Sequence, residues 1–203
     1  MKRTGDYYAR QARQAGYAAR SVYKLEEMQR RFRLLRRGDK VLDIGAAPGS
    51  WSQYCLKTLA GSGSVVGVDL KPVNLPGAPG YRCLQQDIFS PELLQQLIPL
   101  GRFDLVLSDA APATTGNRTV DTQASLAIAR RVSSLAAALL RSRGKMVVKL
   151  FQGEEAGDFV RKLGVDFASV RTFKPRATRK ESMELYILAE GYRGDIIHRN
   201  TGE

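Results

Sequence analysis

From about residue 40 onward, short runs of apolar, largely β-branched residues alternate with longer stretches whose apolar positions recur at helical spacing. The runs predict strands over 41–44, 65–68, 81–84, 103–107, 146–150, 169–173 and 185–189. Between them, helical spacing predicts helices from Ser50 to about Ala60, Pro91 to Ile98, Thr122 to Leu140 and Glu154 to Leu163. Ser50 or Ser52 would cap the first of these and Gly144 would end the third. Three prolines and two glycines make 71–80 a loop. Ahead of the first strand, Tyr17 to Phe32 places Val22, Leu25 and Met28 on one face of a basic helix, expected at the sheet edge. Strands joined by crossover helices imply an α/β fold: a doubly wound, mostly parallel seven-stranded sheet with helices on both faces, preceded by a basic N-terminal helical segment. In such folds the ligand crevice lies beyond the carboxyl ends of the strands.

A chain of 203 residues, 43% hydrophobic and 26% charged, has room for one domain with a sizeable core. The expected division is an N-terminal extension over 1–40, an α/β core over 41–190 and a tail over 191–203. No apolar run approaches the length of a membrane span, and the charged N-terminus argues against a signal peptide. Cys55 and Cys83 are too few for a disulfide framework, and His198 stands alone, so no metal site is expected. A cytoplasmic monomer follows as the expectation.

Thirty-two Lys and Arg against 20 Asp and Glu give a net charge of +12, which favours a polyanionic partner. The excess is uneven. Residues 1–40 carry 12 basic and 4 acidic side chains, a net of +8, whereas 41–170 are close to balance at 13 against 11. A second basic stretch, 171–180, holds five basic residues and no acid. No apolar helix accompanies this charge, so nucleic acid is preferred over a membrane surface.

The turn after the first strand, Gly45, Ala46, Ala47, Pro48 and Gly49, has the glycines that let backbone approach a ligand closely. It lacks the G-x-G-x-x-G pattern, and Pro48 removes an N–H where a dinucleotide pyrophosphate would need donors. A nucleoside cofactor without phosphates fits better, and the sulfonium of S-adenosylmethionine would favour neighbouring carboxylates. Four stand at successive strand ends: Asp43, Asp69, Asp87 and Asp109. Asp69 would accept from ribose hydroxyls, Asp87 from the adenine amino group, and Asp43 and Asp109 would lie nearest the sulfonium. Lys149 ends an apolar strand where an aliphatic residue would be the easy fit, and Glu184 interrupts the start of the last strand.

The chain resembles the FtsJ-type ribosomal RNA 2′-O-methyltransferases. The resemblance rests on SVYKLEE (21–27), VLDIGAAPGSWSQ (41–53), SDAAP (108–112), VVKLFQG (147–153) and KPRATRKESMELY (174–186). It implies a Rossmann-like methyltransferase fold and transfer of methyl from S-adenosylmethionine to a ribose 2′-hydroxyl. The family's Lys-Asp-Lys-Glu tetrad falls on Lys24, Asp109, Lys149 and Glu184. Its cofactor contacts fall on Gly49, Trp51, Asp69, Asp87 and Asp109. One departure is Ser50, where many members have glycine.

The chemistry suits these residue types. A 2′-hydroxyl is a weak nucleophile that must be aligned with the methyl carbon and relieved of its proton. Lys149 is the expected base or orienting group, supported by Asp109, with Lys24 and Glu184 positioning the ribose. The two lysines would lower each other's pKa, while the two acids push the other way. Arg176, Arg179 and Lys180 are the expected phosphate contacts, joined by Arg10, Arg13 and Arg20, with Tyr7, Tyr8 and Tyr17 either stacking on bases or anchoring to their own domain. By family analogy the substrate would be a uridine of the A-site loop in large-subunit ribosomal RNA, within an assembled or nearly assembled subunit, and its methylation would aid ribosome maturation. The rivals are the ribose of a transfer RNA anticodon loop, a non-catalytic RNA-binding assembly factor and, made improbable by the missing glycine pattern, a nicotinamide oxidoreductase.

Overall fold

The computed structural model describes residues 4–179 and 181–194, with side chains from residue 7 onward. Seven strands form one sheet: β1 (Lys40–Ile44), β2 (Ser64–Asp69), β3 (Tyr81–Gln85), β4 (Phe103–Ser108), β5 (Leu140–Phe151), β6 (Phe167–Phe173) and β7 (Glu184–Tyr192). Their order is β3-β2-β1-β4-β5-β7-β6, and only β7 runs against its neighbours. The order reverses between β1 and β4, which opens a crevice above that pair. Because β7 is antiparallel, Glu184 at its start pairs with Phe151 at the end of β5. A residue that begins a strand thereby joins residues that end theirs.

Among the described residues six α-helices flank the sheet, α1 (Thr4–Gln14), α2 (Val22–Phe32), α3 (Ser50–Leu59), α4 (Glu92–Leu97), α5 (Arg118–Leu139) and α6 (Ala156–Asp166), and a 3-10 turn (Ile98–Leu100) follows α4. Period-two alternation divides the strands between two cores. On one face Val106, Met146, Val148, Leu150, Leu185 and Ile187 pack under α4, α5 and α6. On the other, Leu105, Leu107, Val147, Tyr186 and Leu188 pack under Leu25 and Met28 of α2 and Trp51, Cys55 and Leu59 of α3. So α2 covers the β5–β7–β6 side of this face: Lys24 meets Glu184 and Tyr186 of β7, and Phe32 packs on Phe173 of the edge strand β6. The apolar stripe of α2 is wide enough to bury Leu25 and Met28 completely.

Several boundaries differ from expectation for local reasons. The helix expected over 17–32 begins at Val22, because the preceding chain is pinned to α3: Ala18 N–H donates to Gln53 (2.9 Å) and Trp51 Nε1 donates to Ser21 O (2.9 Å). α1 falls within the extension expected to be helical over 1–40, where no bounds were assigned to it; of its described side chains only Ala12 is buried. α5 begins four residues early, since Asn117 accepts from Thr119 and Val120 N–H and Asp121 ties down Thr115 and Gly116. It ends at Leu139 and passes directly into β5, so Gly144 lies within the strand and does not end the helix; the strand bends at Arg143 (φ 63°).

Met28 is fully buried between α2 and the sheet. Met28→Ala should therefore lower the unfolding free energy by about 2–5 kcal/mol, the usual range for a truncated core side chain. Urea titration followed by circular dichroism measures it, and a cost well below 1 kcal/mol would place α2 at the periphery.

Candidate active site

The loop after β1 is folded back onto the end of β2. Gly45 and Ala46 N–H both donate to Val68 O, at 2.8 and 3.2 Å, and Ala47 N–H donates to Asp69 Oδ2 at 2.9 Å. Gly45 (φ 77°) and Gly49 (φ 108°) occupy left-handed conformations. Space also excludes side chains there: a Cβ on Gly45 would come within 2.7 Å of Ala110 backbone, and one on Gly49 within 2.9 Å of Val73. Pro48 is exposed at the turn.

No side chain caps α3, contrary to the expectation for Ser50 or Ser52. Ser50 hydroxyl meets Ser21 hydroxyl at 2.9 Å, and Ser52 Oγ donates downward to Asp43 Oδ2 at 2.6 Å. The first turn of α3 is therefore a set of backbone donors without side-chain partners, suited to a carboxylate. Trp51 has its indole buried against the Tyr186 ring, so any ligand contact from this residue would come from its backbone. Asp69 Oδ1 also accepts from Lys71 N–H, and Asp87, which is exposed, accepts from Phe89 N–H. Both acids are held in defined orientations at adjacent strand ends and keep lone pairs for hydroxyl or amino donors. Donors for a carboxylate, acceptors for a nucleoside and a nearby anionic carboxyl together fit S-adenosylmethionine.

Asp43 departs from its expected place beside the sulfonium. It is completely enclosed beneath the loop, where it cannot touch a ligand, and its Oδ1 has no hydrogen-bond partner among the described residues. Burial pushes its carboxyl up to about 7, Ser52 partly opposing and the charges of Asp109 and Asp69 adding to the rise.

The four residues singled out as a tetrad converge on the sheet face covered by α2 and α3. Lys24 and Lys149 are each only 7% exposed, and each ammonium has its own carboxylate. Lys24 pairs with Glu184, and Lys149 Nζ lies 3.0 Å from Asp109 Oδ1 while also donating to Asp109 O. Tyr186, which was not foreseen, joins the two pairs. Its hydroxyl donates to the same Asp109 Oδ1 at 2.6 Å, and Lys24 Nζ lies 5.7 Å from the centre of its ring. Burial, and then the charges of Asp109 and Glu184, hold its phenol well above the ordinary value, so it remains a donor. The signal that could have found it is the period of two: Glu184, Tyr186 and Leu188 share a face, and Tyr186 stands opposite Lys149.

An open cleft beside Lys24 and Glu184 is lined by Arg20, Arg179, Glu181 and Ser182. Arg176 is exposed on the same loop, anchored by its backbone N–H to Glu27 at 2.7 Å. Arg10 and Arg13 are exposed on α1, away from the lining of the cleft. Lys180 and His198 lie outside the described residues. Of the tyrosines, Tyr8 packs on Tyr23 and Tyr17 on Tyr54, which makes them anchors to their own domain, whereas Tyr7 is exposed.

Comparison with known proteins gives a consistent result. Residues 17–192 match the FtsJ-like methyltransferase family. Over 93% of the chain it is 44% identical to ribosomal RNA large subunit methyltransferase E of Desulfatibacillum aliphaticivorans, covering 91% of that protein. The like-named protein of Methanothermobacter thermautotrophicus is 37% identical, with 97% of both chains covered. A crystal structure assigned to a ribosomal RNA methyltransferase of Plasmodium falciparum superposes with a TM-score of 0.78 at 25% identity, over 88% of this chain and 100% of that one.

The Asp43 environment has a measurable consequence. An acid whose folded pKa is about 7 and whose unfolded value is near 3.9 binds more protons when folded, so its contribution to stability falls as pH rises between those values. Asp43→Asn should remove a loss on the order of 4 kcal/mol across pH 4 to 7. Urea unfolding at a series of pH values checks this; parallel profiles for the two proteins would show that Asp43 is ionised without penalty.

Proposed function

The chain belongs to the FtsJ-like methyltransferase family, and from that premise we propose that it methylates a ribose 2′-hydroxyl in large-subunit ribosomal RNA, using S-adenosylmethionine. The observation that carries this reading is the paired arrangement of Lys24 with Glu184 and Lys149 with Asp109, joined by Tyr186, at the edge of an arginine-lined cleft. The names of the curated relatives support the substrate class.

The cofactor supplies its methyl group on a positively charged sulfur, already a strong electrophile. What the protein must add is alignment and proton removal. Lys149 Nζ, held by Asp109, orients the 2′-hydroxyl toward the methyl carbon and is the assigned acceptor of its proton, with Asp109 balancing the positive charge on Nζ. Tyr186 holds Asp109 by its other bond, so the carboxylate stays directed at Lys149. Lys24, fixed by Glu184, presents its ammonium to the ribose or to its adjoining phosphate. Asp69 would accept from the hydroxyls of the cofactor's own ribose, Asp87 from the adenine amino group, and the start of α3 would receive the amino-acid carboxylate. Gly45, Ala47, Pro48 and Gly49 form the floor, and Asp43 supports it from below through Ser52. Arg20 and Arg179 line the path of the phosphodiester chain, with Arg176, Lys180, Arg10 and Arg13 further out. A uridine of the A-site loop, reached in an assembled subunit in the cytoplasm by a monomeric enzyme, is the finer form of the proposal.

The test is transfer of labelled methyl to large ribosomal subunits from cells lacking this protein, with transfer RNA from the same cells as a parallel substrate. Label resistant to alkaline cleavage in ribosomal RNA is expected, and Lys149→Ala should reduce transfer by at least about 100-fold, the scale of general acid–base assistance, while calorimetric cofactor affinity changes little. Label confined to transfer RNA would move the substrate, and turnover retained by Lys149→Ala would remove its assigned role.

A further inference from the structure

The N-terminal excess of positive charge is only partly used by the crevice. Arg20 reaches it, but Arg33, Arg36 and Arg37 follow α2 to the opposite end of the sheet, where the parallel strands begin. There they meet two other segments. Arg102 precedes β4, and Arg141 and Arg143 lie at the start of β5, whose register places Leu140 beside Phe103. Lys145 Nζ donates to Arg33 O at 2.9 Å and ties the segments together. All six arginines are exposed. Across 33–40, 101–104 and 140–145 the chain has eight basic residues against two acids. Those acids are buried and already engaged: Asp39 accepts from Arg36 N–H at 2.7 Å, and Asp104 accepts from Lys40 N–H at 2.8 Å and pairs with Arg141.

Structural roles account for two of the six. Arg102 Nη1 donates to Ala138 O at 2.7 Å at the end of α5, and Arg141 holds Asp104. The guanidinium groups of Arg33, Arg36, Arg37 and Arg143 have no hydrogen-bond or ion-pair partner among the described residues. Like charges brought together without partners oppose folding, and a compensating role outside the molecule is the natural counterpart. At about 3.3 Å per residue, β5 separates this surface from Lys149 by roughly 20–25 Å. Between the two, α2 carries Glu26 and Glu27 and then, toward Arg33, the exposed Arg30 and Arg31.

We infer that this end of the sheet is a second RNA-binding surface, which grips phosphodiester backbone remote from the target nucleotide. The inference rests on the reading of the chain as an RNA methyltransferase. Arginine forks match phosphate oxygens in pairs, which lysine cannot do. The exposed apolar side chains nearest this end, Ile98 in the short turn after α4 and Val165 in α6, lie on separate segments and form no anchor for a bilayer. A substrate long enough to span both surfaces would be held by both, whereas a short oligonucleotide in the crevice would feel only one.

The variant R36Q/R37Q/R143Q leaves every described bond of this region in place, and its unfolding midpoint should match the parent. Its dissociation constant for deproteinised large-subunit RNA should rise about tenfold, and the slope of log affinity against log salt should fall by roughly 3. Methyl transfer to large subunits at saturation should be unchanged. Wild-type affinity and salt slope would overturn the inference. So would a loss of affinity for intact subunits with none for stripped RNA, which would make the partner a ribosomal protein. If the parent enzyme transfers no methyl to ribosomal RNA, the proposed function fails, while the binding comparison still decides this surface.

Discussion

Two ammonium groups cannot be buried on one sheet face unless each is met by a carboxylate, and that constraint organises the crevice. Lys24 and Lys149 come from α2 and β5; their partners come from the start of β7 and the end of β4. Bringing these four elements together requires the strand order, the single antiparallel strand and the packing of α2 against β7. Desolvating such pairs is expensive, and replacing a buried pair by apolar residues is often neutral or stabilising by about 1–4 kcal/mol. Their presence is therefore better explained by chemistry than by stability.

Tyr186 makes the two pairs one network. Its hydroxyl shares Asp109 Oδ1 with Lys149, and its ring carries Lys24 on one side and Trp51 on another. Trp51 in turn donates to Ser21 O, which fixes the chain entering α2 and so the position of Lys24. The loop that would hold the cofactor and the helix that brings a lysine are thus coupled through one indole and one phenol.

The strands and the acids at their ends were legible because apolar runs stopped by Asp or Gly are local signals. So were Lys149 and Glu184, as charges out of place in apolar strands. Lys24 was legible only through the family resemblance, since nothing local separates it from a solvated helix lysine. Tyr186 was missed because tyrosine is unremarkable in a strand until its register partner is known. The absence of a side-chain cap on α3 and the enclosure of Asp43 share one cause: Ser52 turns inward to satisfy a buried carboxylate, a tertiary demand that no local pattern encodes. The charge excess of the first 40 residues was legible in amount but not in place, because α2 carries part of it to the far end of the sheet.

The most direct test of the central claim is to measure unfolding free energy and methyl transfer together for the double variant K24M/E184M. Removing both partners leaves no unpaired charge, so stability should stay at the parent value or rise, while methyl transfer is lost. A double variant that is several kcal/mol less stable yet transfers methyl at the parent rate would contradict the account, by making the pair a structural device and not part of the chemistry.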